Sequence, residues 1–169
     1  RSMKTIGFIG HEWKRKGLPK VLEIWRELRA SEHEVNLVLA GFPVEEKIGL
    51  TSAEKEEVEV LGWLQDKAVF FHKIDLLLHP ASKEAYGMVI AEAASLGIPV
   101  VCSMECGASE IIQDSFGAVL NTNDPLRKWT NAVLENLSKT NEKETFIYKR
   151  DWRQVASEYL KVYAEILNN

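Results

Sequence analysis

DLLLHPASKEAYGMVIAEAASLGIPVVCS, residues 75–103, carries the pattern from which the architecture of the chain follows. It begins and ends in short apolar runs, 75–80 and 98–103, that do not alternate with polar residues. Runs of that length and character are strands covered on both faces. Between them Met88–Leu96 is apolar almost all round, which predicts a buried helix over 87–97. Gly87 supplies backbone freedom where that helix begins. Strand, helix, strand is the unit of a parallel sheet, and two carboxylates, Glu84 and Glu92, interrupt this one.

The same alternation extends in both directions. Strand candidates lie at 5–10, 35–41, 57–62 and 117–120 as well as 75–80 and 98–103. Leu18, Val21, Leu22, Trp25 and Leu28 recur at helical spacing after Gly17, and further helices are expected near 44–56, 66–73 and 107–113. The expected fold class is therefore α/β, a Rossmann-like parallel six-stranded sheet with helices on both faces and right-handed crossovers. From Pro125 the pattern is helical only. It reads as a sheet domain over 1–124 followed by helices over 125–169, with a polar linker SKTNEKET and a last helix whose broad apolar face must pack on this sheet or on another domain.

Length and composition permit one soluble domain: 169 residues, 46% apolar and 27% charged. A net charge of −4 argues against a general nucleic-acid binder. No apolar run reaches the ~18–20 residues that span a bilayer, and no signal peptide precedes the first strand, so a cytoplasmic chain is expected. The opening RSMK reads as a cloning remnant and suggests a piece of something longer. Cys102 and Cys106 stand in CSMEC without a second pair or nearby histidines, so they read as packing thiols and no metal is expected.

In such sheets ligands bind at the carboxyl ends of strands. The first of these loops, GFIGHEWKRKG, sets Lys14, Arg15 and Lys16 between Gly10 and Gly17 before a helix. Its spacing fits neither the dinucleotide fingerprint nor the P-loop. Cations there either bind an anion with the helix N-terminus or form a solvated basic turn. His79 at the fourth strand's end reads as a satisfied structural residue. Glu92 inside an apolar helix is costly unless paired, so it either accepts bonds from a neighbouring loop or faces a ligand rich in hydroxyls. Cations for a diphosphate together with carboxylates for hydroxyls describe a sugar nucleotide.

At this point the chain resembles the donor-nucleotide-binding, C-terminal half of a retaining glycosyltransferase of family 4, the group 1 transferases of GT-B architecture. The resemblance is carried by Glu84 and Glu92 inside HPASKEAYGMVIAEAASLGIPVV, with GFIGHEWKRKG, LGWL, CGASEII and FGAVL in support. Within the family it is most similar to bacterial lipopolysaccharide core glucosyltransferases. Trp63 and the Cys106-Gly107 pair depart from the commoner patterns, which have a polar residue and paired glycines.

The resemblance implies roles. Arg15 and Lys16, beside Gly10, would bind the donor diphosphate and stabilise the departing nucleotide. Glu84 would hold sugar hydroxyls, with Tyr86, Gly87, Met88 and Val89 offering close or backbone contacts around the sugar and phosphate. Glu92 would hold the ribose, and Gly62 with Trp63 would border the base. The implied donor is a UDP-hexose such as UDP-glucose, used without a cofactor or metal. A glycan or lipid-linked acceptor would bind an absent N-terminal domain, and the full-length protein could dock on the cytoplasmic face of the inner membrane. The competing readings are a GT-B relative with other sugar-nucleotide chemistry and a ligand-free interaction domain whose Glu84 and Glu92 are satisfied by protein groups.

Overall fold

The computed structural model describes residues 3–112, 116–139 and 152–167. Strands β1 (Lys4–Ile9), β2 (Val35–Ala40), β3 (Glu59–Val60), β4 (Leu76–His79), β5 (Val100–Ser103) and β6 (Gly117–Leu120) form one sheet in the order β3-β2-β1-β4-β5-β6. Every pairing is parallel. The expected α/β, Rossmann-like six-stranded sheet is thus present. The chain runs from β1 outward through β2 to β3, then returns past β1 to β4, so the carboxyl ends of β1 and β4 flank the switch point where such sheets open a crevice.

Helices α1 (Leu18–Ala30), α2 (Ser52–Glu57), α3 (Ala68–Phe71), α4 (Met88–Ser95), α5 (Leu126–Lys139) and α6 (Trp152–Leu167) complete the chain, with a 3-10 helix at Gly107–Ile111. The period of two along each strand splits the core into two faces. Ile6, Phe8, Leu37, Leu39, Leu76 and Leu78 pack with Trp25 of α1 and Trp129 of α5. Val38, Ala40, Leu77 and Val100 pack with Phe70 of α3 and Ile90 of α4. Both faces are therefore covered, which is why the strands read as unbroken apolar runs.

Several expected elements are shorter. Of the helix expected over 44–56 only α2 forms: Gly49 turns the chain at φ 89°, and Thr51 caps α2 in a reciprocal capping box with Glu54. The strand over 57–62 contracts to Glu59–Val60 and the helix over 66–73 to Ala68–Phe71. Helix 107–113 is a 3-10 segment to Ile111, and position 113 lies outside the described residues. Helix α4 buries one face only, through Val89, Ile90, Ala93 and Ala94, while Met88 and Leu96 are exposed.

Helix α5 joins the core of α1 through Trp129, Val133 and Leu137. Helix α6 buries no residue, and Leu160 and Ile166 on it remain about two-thirds exposed (67% and 66%). Its apolar face does not pack on the sheet. Ser138 and Lys139 of the expected linker continue α5, and the rest of that linker lies outside the described residues. No described helix is long and apolar enough to cross a membrane.

Candidate functional site

The site is built where the loop after β1 meets the loop after β4. Gly17 ends the first loop in the left-handed region, at φ 91°, and caps α1. It lies so close to the β4 exit that a Cβ would stand 2.2 Å from the carbonyl oxygen of Pro80. Ser82 then ties the loops together, its N–H and hydroxyl both donating to the Arg15 carbonyl at 3.0 and 3.1 Å. The stem of Lys16 crosses Gly10, where a Cβ would meet its Cδ at 2.4 Å.

These contacts deliver cations to a carboxylate. Lys16 Nζ is 3.0 Å from Glu84 Oε2, and Arg15 Nη1 is 3.9 Å from the same oxygen. Arg15 Nη1 also donates to the Lys83 carbonyl, and Arg15 Nε donates to Glu12 Oε2 at 3.1 Å. The hydrogen bond from Arg15 holds the Glu12 carboxyl below its usual range, and Glu12 in turn raises Arg15. Glu84 itself is fixed through its backbone. Its N–H donates to the Glu105 carbonyl at 3.1 Å, and Gly107 N–H donates to the Glu84 carbonyl at 3.3 Å. Ala108 N–H donates to the Tyr86 carbonyl at 2.7 Å, so the loops after β4 and β5 are laced side by side.

Gly87, at φ 89°, caps α4 directly after Glu84, Ala85 and Tyr86. A Cβ there would lie 3.1 Å from Ile90 Cδ1 and in ordinary contact, at 3.4 Å, with Glu84 Cγ, so it is the positive φ that favours glycine at this helix start. Tyr86 and Met88 are exposed, while the Val89 side chain is buried and leaves only its backbone for a ligand. Gly62 follows β3, and exposed Trp63 stands with its ring 4.9 Å from that of His11, so this loop meets the first one across the sheet edge.

Glu92 is placed differently from Glu84. Lys67, ahead of α3, donates to both of its oxygens at 2.6 and 2.8 Å. Among the described residues no hydrogen bond or ion pair joins Glu92 to the Arg15–Lys16–Glu84 cluster. His79 also departs from expectation: it is fully buried, and neither ring nitrogen has a hydrogen-bond partner. Sequence reasoning missed the roles of Glu12, Lys67 and His79. An oppositely charged i, i+3 pair, Glu12 and Arg15, was a visible signal; Lys67 to Glu92 spans 25 positions and had none.

Cys102 and Cys106 are buried, and burial pushes both thiols up, Cys102 to about 12, so both are inert packing groups. Among the described residues no group of three or more His, Cys, Asp or Glu could hold a metal ion.

Comparison with known proteins gives this geometry a family. The chain is 32% identical over 124 residues to an uncharacterized 41.2 kDa protein in the cps region of Klebsiella pneumoniae, covering 71% of this chain and 33% of the relative. It is 31% identical over 115 residues to the lipopolysaccharide glucosyltransferase WaaG of Escherichia coli K12, covering 63% and 30%. The chain thus spans about a third of the length of these relatives (33% and 30%). Among solved structures it superimposes on WaaG with TM-score 0.73 at 20% identity, covering 95% of this chain and 46% of that one. It superimposes on TarM of S. aureus, in a structure containing UDP, with TM-score 0.75 at 18% identity, covering 95% and 35%. These likenesses show the fold, a Rossmann-like sheet shared with GT-B glycosyltransferases. The family described as "Glycosyl transferases group 1" matches residues 3–139, and the chain belongs to it.

Proposed function

We propose that this chain binds a UDP-hexose donor as the C-terminal half of a retaining glycosyltransferase that builds a lipopolysaccharide core or related glycan. The observation that carries this reading is the Lys16–Glu84 pair at 3.0 Å, which joins the basic loop to the carboxylate loop across the switch point between β1 and β4. Arg15 and Lys16 bind the diphosphate and stabilise the charge on the departing nucleotide. Glu84 accepts sugar hydroxyls, and the backbone from Tyr86 to Val89 at the start of α4 approaches the phosphate and sugar. Glu92 takes the ribose once Lys67 turns away, and Trp63 borders the base. Two of the similar proteins support the direction: a lipopolysaccharide glucosyltransferase and a protein solved in complex with UDP.

The remainder of the enzyme carries the acceptor site for a glycan or lipid-linked glycan and works in the cytoplasm, at the inner face of the membrane. The sheet domain over 1–124 serves the donor, and the exposed apolar face of α6 is covered by that remaining domain. No metal takes part.

One observation favours the ligand-free interaction domain instead: both oxygens of Glu92 are occupied by Lys67. Thermal unfolding separates the two. UDP at about 100 times its dissociation constant should stabilise the chain by ~2.7 kcal/mol, seen as a rise in Tm, and Glu92→Ala should reduce that rise. No shift with UDP, GDP or ADP at millimolar concentration would favour the interaction domain.

A further inference from the structure

His79 closes β4 beneath the donor cluster with its imidazole stacked on Phe8, the ring centroids 6.0 Å apart at 16°. It is 0% exposed, and both Nδ1 and Nε2 lack hydrogen-bond partners. Buried polar groups left this way are rare enough to require an account. Nε2 lies 4.0 Å from Glu84 Oε2, which is also buried without a hydrogen bond and, among the described residues, is otherwise met by the ion pairs from Lys16 and Arg15. The charged groups facing the imidazole are Lys16 and Arg15 from the loop after β1 and Glu84 from the loop after β4; Cys106, from the loop after β5, meets only the His79 backbone, its Sγ 4.0 Å from the carbonyl oxygen. Burial, aided by Lys16, lowers the imidazole to about 4, so it is neutral at pH 7 and keeps one N–H.

In this structure Lys16 neutralises Glu84. A lysine recruited to a diphosphate leaves that carboxylate buried and short of a partner, which is strongly unfavourable. We infer that His79 is a positioning residue of the donor site, its Nε2–H becoming the donor to Glu84 Oε2 when Lys16 turns to the diphosphate. The inference rests on the donor-site reading above. A carboxylate movement of about 1 Å brings the pair from 4.0 Å to hydrogen-bond distance. Glu84 then stays oriented for the sugar without competing for Lys16.

Calorimetric titration of the chain with UDP tests this, using His79→Leu, which removes the donor and fits an apolar setting, and His79→Gln, which restores an N–H. His79→Leu should weaken UDP about tenfold, as loss of a hydrogen bond to a charged group does, and His79→Gln should recover most of it. In a Glu84→Gln background, where no buried charge needs the donor, His79→Leu should change nothing. The pH profile checks that the protein folds around a neutral imidazole. Because the folded value, about 4, lies below the ordinary 6.5, the unfolded chain takes the proton first. Wild-type Tm should fall as pH drops from 6.5 to about 4, and that part of the loss should vanish in His79→Leu. Wild-type UDP affinity in His79→Leu, an equal loss in the Glu84→Gln background, or an unchanged pH profile would overturn the inference. Failure of the wild-type chain to bind UDP would instead overturn the donor reading on which it rests.

Discussion

Gly17→Ala is expected to destabilise the chain by about 3 kcal/mol or more, because two penalties coincide at one atom. The residue sits at φ 91°, where a side chain costs ~1–2 kcal/mol. The added Cβ would also stand 2.2 Å from the Pro80 carbonyl oxygen and 2.6 Å from its carbon, and neither is a flexible side chain that can turn aside. The chain must then part the loop after β1 from the exit of β4. Gly97→Ala is the matched control: φ there is 74°, but nothing lies within 4 Å of where the new methyl would stand, so only the conformational cost of ~1–2 kcal/mol applies. Urea unfolding of both variants, at unchanged m, measures the difference. Equal losses would show that the Gly17–Pro80 approach does not hold the two loops together.

Lys16→Met is expected to have the largest effect on binding. Its Nζ is the nearest cation to Glu84, at 3.0 Å, and both side chains are largely shielded, with 21% and 13% exposure. Loss of a charge-assisted bond to the diphosphate should weaken UDP by ~1.5–3 kcal/mol, or roughly 10- to 150-fold. The same substitution strips Glu84 of its closest partner and should lower stability. Lys16→Met with Glu84→Gln separates the two effects: stability should recover, since the uncompensated charge is gone, while the UDP affinity should not. Recovery of both would mean that Lys16 serves only to satisfy Glu84.

Much of this was legible because it is local. Leu18, Val21, Leu22, Trp25 and Leu28 bury the face their spacing predicts, and the apolar runs at 75–80 and 98–103 contain the interior strands β4 and β5. Boundaries failed where a local device competes with periodicity, as at Gly49 and the Thr51–Glu54 box, which confine the helix to 52–57. The clustering of Arg15 and Lys16 with Glu84 follows from strand order, since β1 and β4 are neighbours at the switch point. What the sequence could not convey is which charge each residue meets. Glu12 on Arg15 is the exception, an i, i+3 pair that local spacing shows. Lys67 on Glu92 and the bare imidazole of His79 depend on tertiary distances with no periodic trace. Exposure of the apolar face of α6 was equally invisible, because amphipathic spacing states that a face exists without stating what covers it.

The edge formed by Lys16, Arg15 and Glu84 is expected to receive a nucleoside diphosphate sugar. Isothermal titration of the chain with UDP-glucose, beside UDP, GDP and ADP, tests it most directly. Saturable one-to-one binding of UDP and UDP-glucose is predicted, tighter than GDP or ADP and weakened by Lys16→Met. Absence of heat from every nucleotide at millimolar concentration, or binding that Lys16→Met leaves unchanged, would contradict it.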